Sequence, residues 1–190
     1  MTQMDGQFVI RTERLVLRPP VLTDFDDFEA VYGDAGVVRH LGGRPFTREE
    51  SWARLMRHVG HWKLFGYGFW VMRDRLDGQF VGDLGFANFR RDIEPGYEDS
   101  PEAGWVLQPS KQRQGFAIEA MRAAHDWFDE RIRAHRTVCI IAPENTASTR
   151  LAEKCGYKEY ARTQYKKTTV VLHERLVQDT ILPRTSQADG

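Results

Sequence analysis

The run "EAGWVLQPSKQRQGFAIEAMRAAHDWF", residues 102–128, decides how the chain is read. A strand-like segment stops at Pro109, a basic turn with one glycine follows, and an amphipathic helix begins. A helix start leaves amide N–H groups without partners and carries the positive end of the helix dipole. A glycine there lets an anion, commonly a phosphate, approach the backbone. The hexapeptide "QRQGFA" of residues 112–117 therefore reads as a phosphate turn, with Lys111 and Arg113 at its rim. Taken alone it also reads as a plain surface turn. It is neither a Walker motif nor a dinucleotide GxGxxG.

Working outward, "RLVLRP" predicts a strand over 15–18. Thr23 is the expected cap of a short helix that ends near Gly33 and groups Phe25, Phe28 and Val31. Thr47 and Glu50 form a capping box for a longer helix with Trp52, Leu55, Met56, Val59 and Trp62 at helical spacing and Gly66 as its stop. Asp77-Gly78 predicts a hairpin between strands 69–73 and 79–86. Beyond the opening run, a helix over 115–133 leads to an apolar strand at 137–142. A helix ended by Gly156 and two strands near 158–162 and 168–175 complete the order. These elements predict an α+β fold, a mixed, mainly antiparallel sheet flanked by helices, with one parallel unit across 103–142. We expect one domain over 1–182 and a flexible tail over 183–190.

The 190 residues are enough for one sizeable core. Lys plus Arg and Asp plus Glu both number 27, so no global charge favours nucleic acid or an anionic membrane. Cys139 and Cys155 sit in no CxxC or Cys/His pattern, which argues against a zinc site or a disulfide framework; no metal is expected. No apolar run of signal or membrane-spanning type occurs, and a cytoplasmic location is expected.

The turn resembles the acetyl-CoA signature of the GNAT superfamily of N-acetyltransferases, Gln/Arg-x-x-Gly-x-Gly/Ala, here Gln112, Arg113, Gln114, Gly115, Phe116 and Ala117. "APENTASTRLAEKCGYKEYA", "RTERLVLRPPVLTDFDDF" and "VVLHERL" extend the likeness over most of 10–176. They are similar to the RimJ/RimL-type branch, which acetylates ribosomal-protein N-termini and related amines. The resemblance implies the GNAT fold, splayed between its strands four and five, with acetyl-CoA as co-substrate. It implies that the backbone of Trp105, Val106 and Leu107 pairs with the pantetheine arm, that the amides of 113–117 hold the pyrophosphate, and that Asn145 bonds a pantetheine amide. Asn145 reads equally as a helix cap, and Lys154 as a CoA-phosphate contact or an exposed helix lysine.

Acetyl transfer to an amine needs a neutral nucleophile, a donor for the thioester oxygen and a proton for the leaving thiolate. The tyrosine many family members use for the last task is replaced here by Ala152. The resemblance assigns that task to Ser148, three residues after Asn145, and general-base duty to Glu102, directly or through water. Ser148 could instead bond back to its own helix, and Glu102 could be a salt-bridged strand end. His40 is a second candidate base. Direct attack in a ternary complex is expected rather than an acetyl-cysteine. Asp92, Glu94, Glu98, Asp99 and Glu102 form an acidic run that either steers a cationic amine or is a solvated loop. The expected acceptor is a small-molecule amine or a protein N-terminus, and the resemblance admits a homodimer. The rival readings are another acyl-CoA, a CoA-binding module without catalysis, and a plain interaction domain.

Overall fold

The computed structural model describes residues 6–97 and 100–177. Glu98, Asp99 and the expected tail lie outside the described residues. Eight strands form one sheet in the order β1-β2-β3-β4-β5-β6-β8-β7. They are β1 (Ile10–Arg11), β2 (Leu15–Arg18), β3 (Phe69–Asp74), β4 (Phe80–Ala87), β5 (Glu102–Leu107), β6 (Arg136–Ile141), β7 (Lys158–Tyr165) and β8 (Thr168–Leu176). The helices are α1 (Phe25–Gly33), α2 (Ala35–Val38), α3 (Arg48–Phe65), α4 (Phe116–Arg131) and α5 (Thr146–Lys154). Every neighbouring pair is antiparallel except β5 and β6. That parallel pair meets at a single register position, Glu102 opposite Val138, and then diverges. The splay expected between the family's fourth and fifth strands is this divergence; the short β1 raises the numbers by one.

Helices cover both faces because the strands alternate. In β3, Trp70 and Met72 join Phe86, Met121, Ala124 and Phe128 beneath α4, whereas Val71 joins Phe28, Tyr32, Leu55, Phe80 and Val106 beneath α1 and α3. In β5 the same period places Glu102, Gly104 and Val106 toward α1 and α3, and Ala103, Trp105 and Leu107 toward α4 and α5.

Local expectations fare unevenly. The Thr47–Glu50 capping box is present, and Gly66 ends α3 in the left-handed conformation at φ 71°. Thr23 is not the cap expected for α1: it lies inside a 3-10 turn, and the buried Asp24 accepts from the Val21 amide at 2.8 Å while pairing with Arg18 and Arg73. The buried residues of α3 are Ser51, Leu55, His58, His61 and Trp62, so of the expected stripe Leu55 and Trp62 are buried and the polar members were not foreseen. Trp52 and Met56 are turned out, Trp52 resting edge-on against Phe25 at 5.1 Å. Packing against α1 sets this rotation; the heptad-like spacing of large residues does not. The α4 helix starts one residue after Gly115, which is its cap, not its first turn.

Candidate active site

The site is built where β5 leaves β6. Backbone groups of a strand point alternately to its two sides. The Gln108 N–H donates to the Val81 carbonyl in the β4 direction, and the Val138 N–H to the Pro101 carbonyl in the β6 direction. The backbones of Ala103, Trp105 and Leu107 therefore face the opening, and that of Val106 faces β4, opposite Asp83. This corrects the expectation for Val106, whose backbone is already spent on the sheet. The Leu107 carbonyl accepts from Gln112 Nε2 at 3.1 Å.

The turn after β5 is held from outside. Gln114 Nε2 donates to the Ser110 carbonyl at 2.6 Å, and Arg14 Nη1 to the Gln114 carbonyl at 2.8 Å. Arg14 is fixed by Glu119, whose carboxylate also accepts from Thr12 Oγ1 at 2.6 Å and the Arg14 amide at 2.9 Å. Arg113 (φ 60°) and Gly115 (φ 83°) both adopt the left-handed conformation. A Cβ at Gly115 would stand 3.3 Å from Arg14 Nη2, so a side chain there meets both strain and a neighbour. Among the described residues, the amides of Arg113, Gln114, Gly115, Phe116 and Ala117 meet no acceptor. They form a run of donors at the positive end of α4.

Across the opening, Asn145 caps α5, its Oδ1 accepting from the Ser148 amide at 3.2 Å. Ser148 Oγ accepts from Trp105 Nε1 at 3.1 Å, so its own hydroxyl proton is left for another acceptor. Ala152 is fully buried, and its methyl has no proton to donate. Lys154 is exposed on α5. His40 follows α2, its Nδ1 3.6 Å from the Glu144 carboxylate.

Glu102 is buried and engaged. Arg91 grips it through Nε (2.5 Å) and Nη2 (2.6 Å), and Tyr97 donates at 2.8 Å. Arg91 also reaches the Tyr165 hydroxyl at 3.0 Å. The acidic run does not converge among the described residues: Asp92 and Glu94 are exposed while Glu102 is turned inward. Sequence reading missed Arg91 and Tyr97, which lie in an irregular loop with no periodic pattern to aim them at Glu102, and Tyr165 and the Trp105 indole, whose partners are 74 and 43 residues away. It also missed a buried cluster under β5, in which Tyr32 donates to Asp83 at 2.6 Å and His58 Nε2 lies 3.3 Å from the same carboxylate. A lone aspartate in the apolar run "FVGDLGF" was the available signal. Burial pushes the Cys155 thiol up to about 11 and holds Cys139 well above the usual thiol range, so both stay protonated near neutral pH. Among the described residues no group of His, Cys, Asp or Glu is gathered as a metal site, and no helix is long and apolar enough to cross a membrane.

An open strand edge, a donor-lined turn and a helix-borne hydroxyl around one splay define an acyltransferase of the GNAT type. The Acetyltransferase (GNAT) domain family matches residues 14–158, and the chain belongs to it. The uncharacterized N-acetyltransferase YnaD of Bacillus subtilis is 28% identical over 153 residues, 78% of this chain and 82% of that protein. A solved structure from Bordetella pertussis assigned to the GnaT acetyltransferases is 34% identical, with a TM-score of 0.78 over 88% of this chain and 98% of that one. RimL, a ribosomal L7/L12 α-N-protein acetyltransferase in complex with coenzyme A, shares the fold at 19% identity, with a TM-score of 0.73 over 89% and 98% of the two chains.

Proposed function

We propose that the protein moves an acetyl group from acetyl-CoA to a primary amine by direct attack in a ternary complex. The observation that carries this reading is the splay: β5 and β6 touch at one residue pair, and unused backbone donors line the edge and the turn beside it. In this reading, Trp105 and Leu107 pair with the pantetheine arm like an added strand. The amides of 113–117, framed by Gln112, take the pyrophosphate, and Asn145 bonds a pantetheine amide through its free Nδ2. The Leu107 N–H serves the oxyanion. Ser148, already accepting from Trp105, donates its hydroxyl proton toward the departing sulfur. Glu102 Oε1 has one bond from Arg91 and a lone pair to spare, so the carboxylate takes the amine proton through a water. The motif "APENTASTRLAEKCGY" and the RimL fold favour the RimJ/RimL-type branch and a protein N-terminus or a related amine as acceptor.

Calorimetric titration with acetyl-CoA tests the donor. Micromolar binding is expected, and Ala117→Glu, which sets a carboxylate among the phosphate donors where a helix start tolerates it, should abolish it. Retained affinity in that variant would remove the turn from the site. Ser148→Ala should lower kcat about 10- to 100-fold while leaving acetyl-CoA affinity intact. An unchanged kcat would return Ser148 to a purely structural place.

A further inference from the structure

Three arginines gather on the face of β5 that carries Glu102. Arg54 and Arg57 stand one turn apart on α3, and both are reachable from solvent. The Arg54 guanidinium lies 4.2 Å over the Tyr32 ring. That of Arg57 lies 5.4 Å from the Phe89 ring and that of Arg91 4.8 Å from the same ring. A guanidinium held over an aromatic ring by its charge still has N–H groups to offer a planar or tetrahedral anion. The carboxylates nearby are already used. Glu102 is taken by Arg91 and Tyr97, and Asp83 by Tyr32 with His58 beside it.

Among the described residues neither Arg54 nor Arg57 forms an ion pair, and the buried Nε of Arg54 has no hydrogen-bond partner. Partial burial, then repulsion from Arg54, holds the Arg57 guanidinium below its usual range, whereas Arg91 with its carboxylate is held above it. His58 supplies no compensation, since burial keeps it neutral. Asp83 attracts Arg57 only through space and, among the described residues, neither arginine touches a carboxylate, so an incoming anion can take charge-assisted hydrogen bonds from both.

We propose that the amine acceptor carries an anionic group, a carboxylate or a phosphate, which Arg54 and Arg57 hold while the amine reaches the thioester beside β5. The inference rests on the transferase reading above and selects among its acceptors: a cationic polyamine is repelled from this face, and an acidic one is drawn to it.

Glutarate and inorganic phosphate are titrated into CoA-saturated protein, in which the phosphate turn is masked, and into Arg54→Gln and Arg57→Gln. Affinity should fall about tenfold or more in each variant. Acetylation is then compared within matched pairs: 4-aminobutyrate against its amide, and O-phosphoethanolamine against ethanolamine, with spermidine as the cationic case. The anionic member should lead in kcat/KM by about tenfold, and the ratio should fall toward one in Arg57→Gln. The pair that shows the larger ratio identifies carboxylate or phosphate. Acetylation without an anionic preference, spermidine outpacing both pairs, or anion affinity equal in all three proteins would overturn the proposal. A protein that binds no acetyl-CoA would instead sink the transferase reading on which it stands.

Discussion

His125 shows what burial does to a single residue. It lies on the buried face of α4, 5.0 Å from Phe86 and 5.6 Å from Tyr157, and neither ring nitrogen has a hydrogen-bond partner. Burial, then Arg175, pushes it down to about 3, and burial pushes His58 down to about 4. Both are neutral in the folded protein at neutral pH. An unfolded chain protonates its histidines near ~6.5, so below that pH it binds protons the folded state refuses. Stability should therefore fall as pH drops from about 6.5 toward 4. His125→Leu should weaken that dependence and cost less than about 1 kcal/mol at pH 7, since it removes a polar group with no partner. Denaturant unfolding at pH 7 and pH 5 measures both; equal slopes in the two proteins would refute the assignment to His125.

At the scale of elements, the phosphate turn depends on a strand distant in sequence. Arg14, just before β2, holds the Gln114 carbonyl and is itself held by Glu119 of α4. Arg14 is partly exposed, so the ion pair contributes little to global stability. Its consequence is orientation: with the Gln114 carbonyl held by Arg14, the following amides are left free to meet the pyrophosphate in the proposed reading. Glu119→Gln is expected to raise the acetyl-CoA dissociation constant about tenfold with little change in melting temperature. Equal losses of affinity and stability would mean that the clamp only supports the fold. The hexapeptide and its glycine were legible in the sequence, as was the strand–turn–helix around them. The clamp was not, because a hydrogen bond across about a hundred residues leaves no local pattern.

For the whole molecule, the sheet is two parts, β1 to β5 and β6 to β8, joined edge to edge by one residue pair and otherwise by helices. A ligand along β5 would add a strand to the open edge. Amide exchange should therefore slow at Trp105 and Leu107 when acetyl-CoA is bound, and stay as it is at Val106, whose backbone already faces β4. The same binding should stabilise the fold by about 2.7 kcal/mol at a ligand concentration of 100 times Kd. Protection that spares Trp105 and Leu107 would place the pantetheine elsewhere.

Strand and helix order, the hairpin at Gly78, the caps at Thr47 and Gly66 and the turn at Gly115 follow from the sequence alone, because backbone propensity and hydrophobic period are local properties. That Ser148 and Asn145 lie at one opening was readable only through the family resemblance. Tertiary structure decided the rest. It turned Trp52 outward and drew His58 inward, set Val106 toward β4, and closed Arg91 and Tyr97 onto Glu102. It left Arg54 and Arg57 without carboxylates. These outcomes depend on which faces meet and which charges find partners, and such pairings exist only once distant segments pack.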